Sequence, residues 1–485
     1  MSELRPRVGS RRSRWLLATL VFGIVTSAQL WLVAAAGTDI PYQDQWDAEG
    51  SSLYPLWQDG TLEIGDVLRP HNEHRIIWTK LLDLALFTIN GQWDPLVQLA
   101  VGALLRGAIA TVLVVGLLAE GVGRAASVVG ICVVSLTFLP HLGWFNALWG
   151  FQSQVYFSVF FSVLALLWLG TGVVTQPRLM AGFFSGVAAQ LAMSAGAFVP
   201  VAVLGVVGLR FLERRAWKQA DLAVAIPCLL LLALAVALRV DVPAHATLQT
   251  RSAVDWLTVF LRIAAWPHDS QPLAAFALNA PVVLLVANRV WRASRTDGPG
   301  EDFALLLAGW ALAGAAAVAW FRSGGGEFYH GVPSRYVDFF VLLPIANTWA
   351  AFLLVRQVAG KSRTLARACA GGWIAFLFIG WLGLSAQTIR GLILPRVRDR
   401  EAPVRLAVAF QHSHDPQVFT GQWRVIVPHP SPSSVSQVLN DPRMVGVLPP
   451  SLQPDRPMGP LSRVVRWVLR RPRHGGRDGG LKVGS

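Results

Sequence analysis

The sequence predicts an all-α polytopic membrane protein. Of 485 residues, 53% are hydrophobic and only 14% charged, against about 25% charged in an ordinary soluble domain. The apolar residues also gather in runs near the length of about 20 that a helix needs to cross a bilayer. Thirdly, Lys and Arg fall in alternate short loops, which gives the spans a direction. The net charge of +14 does not point to nucleic acid, because the charges lie between long apolar runs rather than beside exposed aromatics. Cys132, Cys228 and Cys369 sit inside apolar stretches, as small core residues do, and form neither a metal-ligand pattern nor a disulfide framework.

A basic N-terminus, residues 1–14, precedes a first span at 15–36. Arg11-Arg12 followed by Ala34, Ala35 and Ala36 also has the look of a secretory leader, but the apolar run exceeds a leader's core of about 7 to 15 residues. Further spans at 96–118, 125–140, 155–174, two within 179–212, then 222–238, 273–290, 303–320, 339–355 and 368–384 bring the expected total to about eleven. As one helix, 179–212 would measure about 51 Å at 1.5 Å per residue. One pass there would also turn every later basic loop outward. Two short passes hinged at Ser194, Ala195 and Gly196 instead keep Arg178 and Arg214 on one side. Eighteen Lys and Arg residues, from Arg5 to Arg367, then share the side of the N-terminus, which is expected in the cytoplasm beneath a bacterial inner membrane. The membrane domain is thus 15–388, and the tail 389–485 is expected outside, in the periplasm. Arg390, Arg396, Arg398, Arg400 and Arg405 oppose that placement, although a long segment translocates largely regardless of charge.

The outer loop 37–95 carries ten acidic residues against Arg69, Arg75 and Lys80, a local charge of −7 inside a basic protein. Outer loops are commonly poor in Lys and Arg, but that does not account for the cluster His71, Asn72, Glu73, His74 and Arg75. Residues 76–89 are apolar yet too short to cross, with Lys80 and Asp83 three apart on one helical side. They read as an interfacial helix, and 254–265 reads as a second, the two roofing a cavity at the membrane boundary. Trp46, Trp57, Trp78, Trp93, Trp144, Trp149, Trp256 and Trp266 fall in these outer segments. An aromatic belt at the lipid interface explains most such residues, while faces for a sugar or a polyprenyl chain explain a minority. In the segment NALWGFQSQ, Asn146, Trp149 and Gln152 combine a ring with amide groups suited to a sugar. Span interiors are poor in charge, with Arg106 inside and Asp338 at an edge, unlike transporters that hold ions at the midplane.

An acidic first outer loop (YQDQWDAE, 42–49), a horizontal helix after it and a later outer SRY (Ser334, Arg335, Tyr336) together resemble membrane glycosyltransferases of the GT-C type. HNEHR and the tail segment DPRMVGVLPPSL are similar to uncharacterised bacterial polytopic proteins. The GT-C resemblance implies a catalytic acid shortly after the first span and a polyprenyl-phosphate sugar as donor, although the usual adjacent Asp-Glu pair is absent. The residues agree on chemical grounds. A carboxylate must take the acceptor proton, for which Asp44 and Asp47 are candidates, and positive donors must hold the leaving phosphate, for which His74, Arg75 and Arg335 are. Substrate contacts are expected from His71, Glu73, His74, Arg75, Asn146, Trp149, Gln152, Arg335 and Tyr336. Two other readings stay open for the histidine cluster. Asp44, Asp47, His71, Glu73 and His74 could hold a divalent metal ion, or the cluster could be a salt-bridge knot. Arg335 could equally anchor its span or pair with Asp338.

In the tail, 422–427 is expected as a strand, 462–471 as a basic amphipathic helix held by anionic lipid, and Gly475 onward as disordered. The expected function is sugar transfer from a polyprenyl-phosphate donor to a cell-envelope glycan, lipid or protein. Transport or flipping of a lipid-linked glycan, or its polymerisation or ligation, is the alternative. Membrane lipids are expected partners.

Overall fold

The computed structural model describes residues 11–119, 124–291, 299–358, 360–419 and 431–470, and no β-strand occurs among them. Sixteen α-helices of eight residues or more organise these residues: α1 (Arg11–Ala36), α2 (Ile77–Asn90), α3 (Pro95–Leu118), α4 (Arg124–Thr137), α5 (Ser153–Gly170), α6 (Gln176–Ala192), α7 (Phe198–Arg214), α8 (Gln219–Ala237), α9 (Ala253–Ala264), α10 (Ala274–Trp291), α11 (Pro299–Arg322), α12 (Leu342–Gln357), α13 (Ser362–Thr388), α14 (Ala402–Ser413), α15 (Pro432–Leu439) and α16 (Pro460–Val468). Among the described residues nine helical stretches are long and apolar enough to cross a membrane. The chain is a multi-pass, all-helical membrane protein. The other two runs expected to span are α4, of 14 residues, and α6, of 17. These measure about 21 and 26 Å, short of the roughly 30 Å hydrocarbon core.

Between α6 and α7 the chain turns through Ser194–Ala197. A Cβ at Gly196 would lie 2.4 Å from backbone atoms of Ala189 and Gln190, so this close return needs glycine. Of the most apolar 18 residues within Ser334–Gln357, 89% are buried and the stretch runs through the bundle, whereas of those within Ser362–Arg398 only 17% are, at its edge. At the end of the bundle away from loop 37–95, Asp302 accepts from Arg210 (2.6 Å) and Arg289 (2.8 Å), and Asp221 from Arg214 (3.0 Å). Several basic residues there are therefore spent on holding α7, α8, α10 and α11 together.

The tail does not stand apart. Ala407, Phe410, Val435, Val438, Leu439, Met444, Leu448 and Leu452 share one apolar core with Ile40, Trp46, Leu53, Tyr54, Leu84, Phe87 and Trp93 of the first loop. Trp93 N–H donates to the Val447 carbonyl at 2.8 Å, closing the two segments on each other. Loop 37–95 and the tail form one module on one side of the bundle. Helix α2 packs on α3, α5, α6 and α16, and α9 on α10 and α11. The strand expected at 422–427 and the segment from Gly475 lie outside the described residues.

Candidate functional site

The chain leaves α1 and turns at Gln43, whose φ is +50°, into a π-helical stretch, Gln45–Leu53. Asp44 stands at its head with its side chain 36% exposed, 3.4 Å from His71 Nε2. Asp47 is half-buried one turn on. His71 in turn meets the ring of Phe151 edge-on at 5.1 Å. This places a half-buried carboxylate beside an imidazole and the edge of an aromatic ring.

His71 and His74 exchange two backbone hydrogen bonds (2.7 and 3.0 Å), which closes HNEHR as a tight turn. Its ends are strained: Asn72 has φ +49° and Ile76 φ +43°. A β-branched side chain rarely adopts that conformation, at a cost of about 1–3 kcal/mol. The turn sits where four distant segments meet. Glu73 is bonded by Arg322 at the end of α11 and lies 2.9 Å from His245 Nδ1. His74 Nδ1 lies 3.0 Å from Ser194 Oγ, and burial, with His71 and His245 nearby, lowers its pKa to about 4. Arg75 donates to the Leu68 carbonyl at 3.1 Å. Glu73, His74 and Arg75 thus bind protein groups, and the salt-bridge knot is the arrangement found. The five candidate metal ligands are divided among separate contacts, and no group of three or more His, Cys, Asp or Glu among the described residues is arranged to hold a metal ion.

The loop NALWGFQSQ links this turn to the SRY loop. Phe145 N–H donates to Ser334 Oγ (3.1 Å), and Asn146 Nδ2 donates to the Arg335 carbonyl (3.0 Å) and to Asp338 (2.8 Å). Trp149 stacks on Phe151 at 5.7 Å and meets Tyr42 and Phe145 edge-on. Gln152 is buried. Asp44 and Arg335 are therefore joined by one continuous string of contacts through His71, Phe151, Trp149, Phe145 and Asn146. Arg335 does not pair with Asp338. It bonds Glu327, lies 5.0 Å from the Tyr336 ring and keeps 41% of its side chain exposed. Asp338 is taken by Arg106 at 2.8 Å, both buried. Gly143 leaves room for that pair, since a Cβ there would lie 2.9 Å from Asp338 Oδ2.

Sequence reasoning missed Glu49, which with Asp83 is 1% exposed. Glu49 accepts from Trp93 Nε1 (2.8 Å), Gln98 Nε2 (2.8 Å), Tyr54 O–H (3.1 Å) and Gln45 Nε2 (3.4 Å). The Gln98 amide nitrogen also donates to Asp83 at 2.8 Å. Lys80, three residues earlier, turns away to the carbonyls of Asp66, Val67 and Arg69. A cleft of about 10 Å³ beside this cluster, lined by Tyr54, Trp93 and Gln98, has room for about one water and none for a sugar. Glu327 was also missed, and its place directly after the glycine run Gly324–Gly326 carries no chemical signal. No protein-family model matches the chain, and no curated protein matches it.

Proposed function

We propose that the chain is a GT-C-type glycosyltransferase of a bacterial inner membrane, moving a sugar from a polyprenyl-phosphate donor to a cell-envelope glycan, lipid or protein at the outer face. In this reading it crosses the membrane about eleven times, with the N-terminus cytoplasmic and the module of loop 37–95 and tail outside. The single observation behind it is the half-buried Asp44 carboxylate, 3.4 Å from His71 Nε2 at the head of the acidic segment. Asp44 takes the proton of the acceptor hydroxyl as its oxygen bonds to the anomeric carbon. The bond from that carbon to the donor phosphate breaks, and the leaving phosphate takes up the negative charge. Arg335 exchanges the Glu327 carboxylate for that phosphate, whose two oxygens suit its planar fork. The rings of Trp149 and Phe151 are buried and hold the segment that carries Asn146 against the Asp44 side of the site.

A buried Arg106–Asp338 pair within the bundle favours the second reading, transport of a lipid-linked glycan, since charge at that depth commonly marks a substrate path. A deletion strain separates the two. Under the transferase reading the lipid-linked sugar accumulates on the outer leaflet and its sugar disappears from a surface glycan, lipid or protein. Accumulation on the inner leaflet supports transport, and an unchanged envelope overturns both.

A further inference from the structure

Helix α16 is built the wrong way round for a helix in water. Ser462, Val465, Arg466 and Leu469, at helical spacing, face the protein, while Val464 is 58%, Trp467 80% and Val468 45% exposed. Both inward polar side chains have partners. Ser462 is bonded to the Asn90 side chain through both N–H and Oγ (3.0 and 2.9 Å). Arg466 donates to Asp39 at 2.8 Å and lies 3.5 Å from Asp94. A Cβ on Gly459, just ahead of the helix, would lie 2.1 Å from the Asn90 carbonyl, so the helix start is pressed onto the end of α2. The helix expected from sequence as basic and amphipathic is present, with Arg466 buried, Arg463 and Arg470 exposed, and an apolar face turned outward.

Position decides what covers that face. Val465 and Leu469 belong to one apolar cluster with Leu32, Val33 and Ala36 at the end of α1 and with Leu96 and Leu99 at the start of α3. Both helices are candidate spans. On the same rim Trp31 is 70% exposed and Leu392 and Leu394 are 37% and 41% exposed. The Val464–Trp467–Val468 face therefore continues the apolar girdle of the spans, with exposed Arg463 and Arg470 beside it. Tryptophan at the boundary and basic residues at its edge are the groups that suit a headgroup region.

We propose that α16 is a lipid-binding element lying in the leaflet where α1 ends, with Val464, Trp467 and Val468 in the acyl boundary and Arg463 and Arg470 against anionic headgroups. The tail is thereby held twice, by the buried Arg466 clamp and by the bilayer. This inference rests on the membrane architecture and is independent of any transferase activity.

The test uses the full chain in lipid nanodiscs, with its three cysteines replaced by alanine. Nitroxide labels are placed through Val464→Cys, Trp467→Cys and Val468→Cys, with Ser52→Cys as a water-exposed reference. Labels at 464, 467 and 468 are expected to be relaxed by oxygen and shielded several-fold from an aqueous nickel chelate relative to position 52. Access to nickel equal to that of position 52 would mean water covers the face, and shielding from both reagents would mean a second copy of the chain covers it; either result overturns the proposal. Replacing part of a phosphatidylcholine bilayer by phosphatidylglycerol is expected to deepen the labels, and Arg463→Gln with Arg470→Gln to abolish that response. Labels indifferent to phosphatidylglycerol overturn the headgroup assignment.

Discussion

Asp44 and Glu49 stand five positions apart in one acidic segment, yet one keeps 36% of its side chain exposed and the other is 1% exposed under four donors. The acidic character of the loop was legible from composition. Which acid faces out was not, because Trp93 and Gln98, which enclose Glu49, come from the far end of the loop and the next span. Burial pushes the Glu49 carboxyl up to about 7, against its hydrogen bonds, and raises Asp83 as well, helped by Glu49 beside it. A carboxyl that holds its proton more tightly when folded than its usual 4.5 gives no penalty below that value. It costs stability as pH rises from there to about 7, and the cost is complete above that. At lower pH His74 offsets the gain, since its depressed pKa costs stability as pH falls below its usual 6.5. Glu49 and Asp83 are expected to make the outer module resist proteolysis better near pH 6 than near pH 8, and Glu49→Gln to lessen the loss toward pH 8. A wild-type module with equal resistance at both pH values would contradict the buried, protonated state.

At the scale of elements, apolar periodicity read the helices well. The helix expected at 76–89 is α2, Ile77–Asn90, and that expected at 254–265 is α9, Ala253–Ala264. The hinge inferred at Ser194 to Gly196 from the sidedness of Arg178 and Arg214 is the turn Ser194–Ala197. Periodicity could not say that Arg466 points inward, because its partners Asp39 and Asp94 lie hundreds of residues earlier in the chain. Nor could it say that Asp338 would leave Arg335 for Arg106. Removing Arg466 strands two carboxylates in a dry site, and breaking a buried pair this way costs about 3–5 kcal/mol. Arg466→Ala is therefore expected to loosen the tail, read as faster cleavage by a protease added on its side of the membrane. Combining Arg466→Met with Asp39→Asn and Asp94→Asn, which removes the stranded charges, should restore most of the resistance. A triple variant as labile as Arg466→Ala would show that packing, not charge, holds the helix.

For the whole molecule, the shared core of loop 37–95 and tail places both on one side of the membrane and so requires an even number of passes between them. Nine spans or eleven satisfy this, and ten do not, so α4 and α6 either both cross or both stay within one leaflet. The arginines that argue against an outer tail are partly explained by packing. Arg396 is buried with its guanidinium 5.6 Å from the Tyr42 ring and 5.8 Å from that of Trp144, and Arg405 bonds Asp399. With the three cysteines replaced, Ser52→Cys is expected to react with an impermeant thiol reagent in cells whose outer barrier is opened, and Ala216→Cys only after lysis. The reverse pattern would invert the orientation and move the Asp44 site to the cytoplasm. The most direct measurement is complementation of a deletion strain by Asp44→Asn, expressed at the wild-type level, reading the lipid-linked sugar pool and the envelope glycans. Loss of a general base costs about 100-fold to 10,000-fold in rate, so the variant is expected to leave the donor accumulated and the glycan missing, as in the deletion. Restoration of the parent's pool and glycan by Asp44→Asn would contradict the assignment of Asp44 as the base.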